Sequence, residues 1–308
     1  MITALAGGVG AARFLEGLIR VVPPKEITII GNVGDDTDIY GLHVSPDLDI
    51  VTYTLAGLVD TRKGWGFRGD TFDCQAMLGK YGFETWFNLG DRDLATHIYR
   101  TEELRRGRRL SEVTADLISR FDLQVKLLPA SDDPLQTYVL SKRRRMHFQE
   151  YMVKHKANPV IDKVIFRGAD RAGPGEHVTE SIMKARGVII CPSNPVVSIG
   201  AILAVRGIKS ALQWTRAKIV GISPIIGGKT VKGPADKLMK AVGIEASVVG
   251  VARCYGDFLD TLIIDRVDRV LAPDIEALGI KPVVTNTLMR IMTDKVRLAK
   301  VVVSELHR

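Results

Sequence analysis

Cysteine is scarce in this chain of 308 residues, with only Cys74, Cys191 and Cys254. They are far apart and form no C-x-x-C, which argues against a zinc site or a disulfide framework and points to a reducing, cytoplasmic setting. Aromatic residues are few as well, at 6%. None interleaves with the basic runs at 105–109 and 142–145, so the stacking platform of a single-strand binder is missing and no nucleic-acid partner is expected. The longest uncharged stretch, 187–205, has the length of a membrane span. Pro192-Ser193-Asn194-Pro195 interrupts it, and a buried strand, a turn and a helix start describe it better. No membrane partner is expected, and Met1-Ile2-Thr3-Ala4-Leu5, with no basic flank, does not read as a signal peptide. Two nucleotide fingerprints are incomplete. Arg13 stands where the dinucleotide motif needs its third glycine, and Asn32 follows the second strand where that motif needs an acid. Gly227-Gly228-Lys229-Thr230 resembles the end of a Walker loop, but Ser223 occupies the position of its first glycine.

What is present is an ordinary globular composition, 46% hydrophobic and 25% charged, with a net charge of +8. The basic excess favours anionic partners such as phosphorylated metabolites. The opening reads as a strand at 2–6, a glycine loop, a helix at 11–20 ended by Pro23-Pro24, and a strand at 27–30, which is a βαβ unit. Further strands are expected at 187–191, 218–222, 261–264 and 282–285, and a helix at 294–307. The middle differs, with helices expected at 70–81, 91–100 and 110–121 and a hairpin from strands at 137–140 and 146–153, its tip at 142–145. The expected fold is α/β: a doubly wound, Rossmann-like, mostly parallel sheet from residues 1–60 and 160–308. Residues 61–159 are expected to form an inserted, largely helical subdomain that carries the hairpin and covers the crevice.

Four constellations carry chemistry. Gly7-Gly8-Val9-Gly10, followed by Arg13, lies between the first strand and helix, where backbone N–H groups and a helix N-terminus favour a phosphate. Asp35 and Asp36, just past the second strand, place carboxylates beside that loop. They would repel a phosphate unless a cation intervened, so they are the candidate Mg2+ ligands and catalytic residues. Asp38 and Asp47 read as caps of turns or helices. Ser193-Asn194-Pro195 and Ser223-Pro224 each close a strand and read as helix starts facing the crevice. In Gly90-Asp91-Arg92-Asp93-Leu94-Ala95-Thr96-His97, Asp91 reads as a helix N-cap, and His97 is given no catalytic role.

Several blocks together are similar to the 2-phospho-L-lactate transferases of coenzyme F-420 biosynthesis. They are 6–13, Asn32-Val33-Gly34-Asp35-Asp36, Ser45-Pro46-Asp47-Leu48-Asp49, 89–97, Leu128-Pro129-Ala130-Ser131-Asp132-Asp133, His147-Phe148-Gln149-Glu150 and 192–200. The resemblance covers most of the chain. It implies transfer of a phospho-acid, phospholactate or phosphoenolpyruvate, from its GMP diphosphate adduct to the ribityl hydroxyl of the deazaflavin Fo, with Mg2+ required and GMP leaving. It also implies that Asp49 and Asn88 contact the deazaflavin. The candidates for the guanosine diphosphate end are Gly7, Gly8, Val9, Gly10, Asn194 and Ser223, and Arg13, Arg92, Ser193 and Pro195 complete the expected ligand-binding set. A homodimer is expected as the commonest assembly. The alternative is a non-catalytic nucleotide-sugar-binding regulator of the same superfamily, which Asp47-Leu48-Asp49 and Gly90-Asp91-Arg92-Asp93 disfavour.

Overall fold

The computed structural model describes residues 1–307. Its strands are β1 (Ile2–Ala6), β2 (Ile27–Gly31), β3 (Thr37–Ile39), β4 (Leu42–Val44), β5 (Lys126–Pro129), β6 (Gln136–Ser141), β7 (Arg144–His147), β8 (Lys163–Arg167), β9 (Gly187–Ile190), β10 (Lys218–Ile222), β11 (Ile225–Ile226), β12 (Lys229–Thr230), β13 (Thr261–Asp265) and β14 (Lys281–Thr285). Seven of them make one parallel sheet in the order β14-β13-β10-β9-β1-β2-β5. Strands β1, β2, β9 and β13 are buried along their whole length. That is why they read as continuous Ile/Val/Leu runs, as strands covered on both faces by helices do. The order reverses between β1 and β9, and that switch point is where a crevice opens beyond the strand ends.

Five helices matter for the site: α1 (Gly8–Leu18), α2 (Pro46–Leu55), α3 (Asp73–Lys80), α4 (Asp91–Arg105) and α5 (Leu110–Arg120). Helix α1 begins at Gly8, earlier than the sequence suggested, so the glycine loop is itself the first helical turn, with Gly7 as N-cap. A Cβ on Gly10 would collide with the Pro192 carbonyl oxygen, so this turn lies directly against the end of β9. Helix α2 was not anticipated. Residues 47–55 are buried on every side, so no polar face marks the helical period.

The segment 61–159, read as a pure insertion, supplies an edge strand, β5, to the central sheet. The hairpin β6–β7 exists, with Lys142 and Arg143 at positive φ (44° and 69°) in its two-residue turn. Its second strand ends at His147, however, and residues Glu150–Lys154, expected as strand, form a π-helical turn. Strand β8 completes this small antiparallel sheet. The Walker-like Gly227-Gly228 is the turn of the hairpin β11–β12, with φ of 57° and 75°. Ser223-Pro224 therefore leads into a hairpin, and the helix start expected there is corrected. All three cysteines are free. Among the described residues, no helix is long and apolar enough to cross a membrane.

Candidate active site

The crevice at the switch point has a volume of about 540 Å³. Its wall brings together Gly7, Gly8, Val9, Gly10, Arg13, Asp35, Asp49, Asn88, Ser193, Asn194 and Ser223 from the expected set. Asp36, Arg92 and Pro195 are not on that wall. Arg92 is exposed, and its backbone N–H donates to Asp70 Oδ1 (2.9 Å); Pro195 is buried in the turn after β9.

One end of the crevice is polar. Gly7 N donates to Ser193 Oγ (3.1 Å), which ties the start of α1 to the end of β9. Asn194 Oδ1 accepts from Val196 N (2.9 Å) and Val197 N (3.3 Å), so this residue caps the turn that leads into the helix Ile199–Ala204. Asp35 and Asp47 both line this end. Asp47 Oδ2 accepts from Asn32 Nδ2 (2.9 Å), and Asp35 Oδ2 from Gln149 Nε2 (3.2 Å). Asp35 Oδ1 is buried without a partner. Burial, then the charge of Asp47, holds the Asp35 pKa well above the usual carboxylate range. Burial pushes Asp47 up to about 6, with the Asn32 hydrogen bond opposing it. Two acids that resist ionisation side by side form a site that a cation would relieve.

The sequence paired Asp35 with Asp36 as the metal-binding acids. Of these acids the crevice wall carries Asp35, together with Asp47, while Asp36 is not on it. Asp36 Oδ2 is taken by Ser45 Oγ (2.8 Å) and His43 Nε2 (3.0 Å), and its Oδ1, like that of Asp35, is buried without a partner. Asp47, read as a cap, also reaches the crevice wall.

The other end is apolar and aromatic, lined by Tyr53, Trp65, Phe87, Leu89 and Phe148. Beneath it lies a buried charged network. Arg100, 1% exposed, bridges both oxygens of Asp49; Nη1 lies 3.1 Å from Oδ2, and Nη2 pairs with Oδ1. Arg100 Nη1 also donates to His97 Nδ1 (3.3 Å), and His97 Nε2 lies 3.1 Å from Asp93 Oδ1, which accepts from Tyr53 OH (2.8 Å). Burial alone would lower the Arg100 pKa, but the attraction and hydrogen bonds of Asp49 outweigh it, and the net shift is upward. Asp49 reaches the crevice wall, but both its oxygens are already engaged. Asn88 is exposed at the mouth.

Helices α3 and α4 hold each other's N-termini. Asp91 Oδ2 accepts from Thr71 Oγ1 (2.6 Å) and Asp73 N (3.1 Å), and Asp91 Oδ1 from Cys74 N (3.0 Å). Asp70 accepts from Arg92 N and Asp93 N. Asp91, expected to cap its own helix, therefore caps the neighbour.

Comparison with known proteins gives a consistent result. A family model described as 2-phospho-L-lactate transferase CofD matches residues 2–301. A phosphoenolpyruvate transferase of Kitasatospora aureofaciens is 48% identical over 286 residues, covering 91% of this chain and 89% of that protein. Phosphoenolpyruvate transferases of Streptomyces griseus (46% over 286 residues, covering 91% and 90%) and Nocardia farcinica (44% over 298, covering 92% and 90%) are similar. Among solved structures, a Bacillus halodurans protein superposes with a TM-score of 0.65 at 15% identity, covering 98% of both chains. This last likeness shows the fold alone.

Proposed function

The chain belongs to the 2-phospho-L-lactate transferase CofD family and is a transferase, and from that premise we propose that it moves a phosphoenolpyruvyl unit from a GMP diphosphate adduct to the ribityl hydroxyl of Fo. The acid is chosen because the relatives carry the name phosphoenolpyruvate transferase. The observation that carries the rest is the two-ended crevice. A helix N-terminus and an acid pair line one end, suited to a diphosphate with its cation, and an aromatic wall lines the other, suited to a flat ring system.

The proposed step is a direct displacement. The acceptor oxygen bonds to the phosphorus that carries the acid, the bond from that phosphorus to the oxygen shared with GMP breaks, and GMP leaves with the electron pair. The hydroxyl proton is lost to solvent or base. No covalent enzyme intermediate is required, so the protein's work is positioning and charge stabilisation. Backbone N–H groups of the first turn of α1 would meet the diphosphate, and the Gly7–Ser193 bond holds that turn in place. The donor set fits magnesium: two carboxylates, Asp35 and Asp47, one oxygen of which lacks a partner. Among the described residues no cluster of three His, Cys, Asp or Glu side chains could hold a metal alone. Substrate oxygens would complete the shell, as is usual for this ion. Bound there, magnesium would supply charge neutralisation to the departing GMP.

Mass spectrometry of product formed from Fo, GTP and each candidate acid, with a coupled guanylyltransferase, tests the reading. Dehydro-F-420-0 from phosphoenolpyruvate is the expected product. Absence of product with every acid would overturn the reading, and product from phospholactate alone would overturn the choice of acid.

A further inference from the structure

Two cations on the crevice wall lack a carboxylate partner. Arg13 stands on α1 one turn beyond Val9, and its Nη2 donates to the Arg290 carbonyl (3.3 Å). Lys232 follows the hairpin β11–β12, and its Nζ donates to the Lys63 carbonyl (3.3 Å), so this side chain reaches across to the 61–66 loop. Gly64, with φ of +76°, permits the crossing; a Cβ there would collide with the Lys232 ammonium and lie 3.8 Å from Val9 Cγ1. The ammonium therefore sits over the first turn of α1, on the side of Arg13. Among the described residues neither cation makes an ion pair with an acid. Several basic groups elsewhere do, as in Arg108–Glu103, Lys295–Glu16 and Lys209–Asp257. Protein around the ammonium, and then the Arg13 charge, hold the Lys232 pKa below the ordinary lysine range. Like charges kept close without a counter-ion are unfavourable until an anion lies between them.

Building on the transferase reading above, we propose that Arg13 and Lys232 clamp the carboxylate of the transferred phospho-acid. The diphosphate has its own site at Gly7–Gly10 and the Asp35–Asp47 pair. Arg13 lies beyond it, one helical turn along α1 from Val9, a rise of about 6 Å, and the Lys232 ammonium reaches the Val9 side of that helix from the hairpin β11–β12. The one anionic group that such a donor carries beyond its diphosphate is the carboxylate on the carbon bonded to the phosphate oxygen. Lysine and arginine both suit it, Arg13 as a planar fork and Lys232 as a point charge with donors to spare beyond its bond to Lys63.

Calorimetry on the full chain tests the clamp. Phosphoenolpyruvate is titrated into protein saturated with GMP and magnesium, and GDP separately into the free protein, for wild type, Lys232→Met, Lys232→Arg and Arg13→Gln. Lys232→Met and Arg13→Gln should each weaken phosphoenolpyruvate binding roughly tenfold, with GDP affinity held within about twofold. Lys232→Arg should restore most of the loss. Equal weakening of GDP would assign the cations to the diphosphate and overturn the proposal. So would unchanged phosphoenolpyruvate affinity in both variants, or no phosphoenolpyruvate binding by wild type. The transferase reading is judged separately by wild-type product formation. An inactive wild type whose phosphoenolpyruvate binding is lost in Lys232→Met would spare the clamp, and an active wild type with an indifferent Lys232→Met would spare only the reaction.

Discussion

Arg100→Met should be among the most damaging single substitutions on the crevice, although Arg100 is 1% exposed and is not itself on the wall. Its guanidinium bridges both oxygens of Asp49 and donates to His97, which in turn lies beside Asp93. Methionine fills most of the volume but leaves Asp49 and Asp93, 6% and 7% exposed, with no buried cation beside them. Breaking a buried pair by removing one partner costs about 3–5 kcal/mol, because the remaining charge stays desolvated. At roughly 2–4 °C per kcal/mol for domains of moderate size, the melting temperature should fall by about 6–20 °C. Asp49→Asn/Arg100→Met removes the orphaned charge as well and should melt higher than Arg100→Met alone, a coupling on the order of 1–3 kcal/mol. Differential scanning calorimetry of the four proteins closes the cycle, with acceptor KM measured in parallel. If Arg100→Met melts within about 2 °C of wild type, the network contributes nothing and the argument from buried charge is wrong. If the double variant melts no higher than Arg100→Met, the cost lies in packing and not in the unpaired carboxylate.

Other substitutions separate the acids. Asp47 titrates near 6 when folded against 3.8 ordinarily, so the folded chain binds its proton more tightly than the unfolded one, and this group lowers stability as pH rises from about 4 through 6. Metal-free Asp47→Asn should then melt above wild type near pH 7.5, by up to about 3 kcal/mol, with the gap closing toward pH 4. A variant that melts lower at every pH would refute this. Asp35→Asn should reduce kcat by roughly 10²-fold and blunt its magnesium dependence, while Asp36→Asn, which disturbs Ser45 and His43, should keep the magnesium response. The opposite pattern in a magnesium titration would return Asp36 to the metal site. Gly10→Ala must displace the Pro192 carbonyl and should cost about 1–3 kcal/mol, together with GDP affinity. Unchanged melts and calorimetry would show that this contact yields freely.

The parallel core was legible because its signals are local. Strand β1, the glycine turn and β2 follow one another within 31 residues, and fully buried strands leave uninterrupted apolar runs. Helix α2 escaped because complete burial erases the period on which helix recognition depends. At Ser223-Pro224 two local signals competed. A helix-start dipeptide stood four residues before Gly227-Gly228, and the glycine pair decided the chain's direction by permitting two successive positive φ values. The acids were legible only as a cluster. Which of them reaches the crevice depends on the path of the chain after β2, and Asp36 Oδ2 is held by His43 of the hairpin β3–β4 and by the residue after it. Arg100 and Asp49 are 51 positions apart, a separation at which a charged pair leaves no pattern in a single sequence.

The hydrogen bond from Gly7 to Ser193 joins residues 186 positions apart, across the point where the sheet changes direction. One half-sheet extends from β1 through β2 to β5, the other from β9 through β10 and β13 to β14. Each half is assembled from its own stretch of chain, but the phosphate end of the crevice exists only where they meet. Closing so long a loop comes at an entropic cost that short-range contacts do not share. A ligand held at this seam therefore reports completion of the molecule and not formation of either half. During refolding, protection of amides within β1–β2 should precede the appearance of GDP binding, and GDP added early should slow unfolding of the finished protein without hastening its birth.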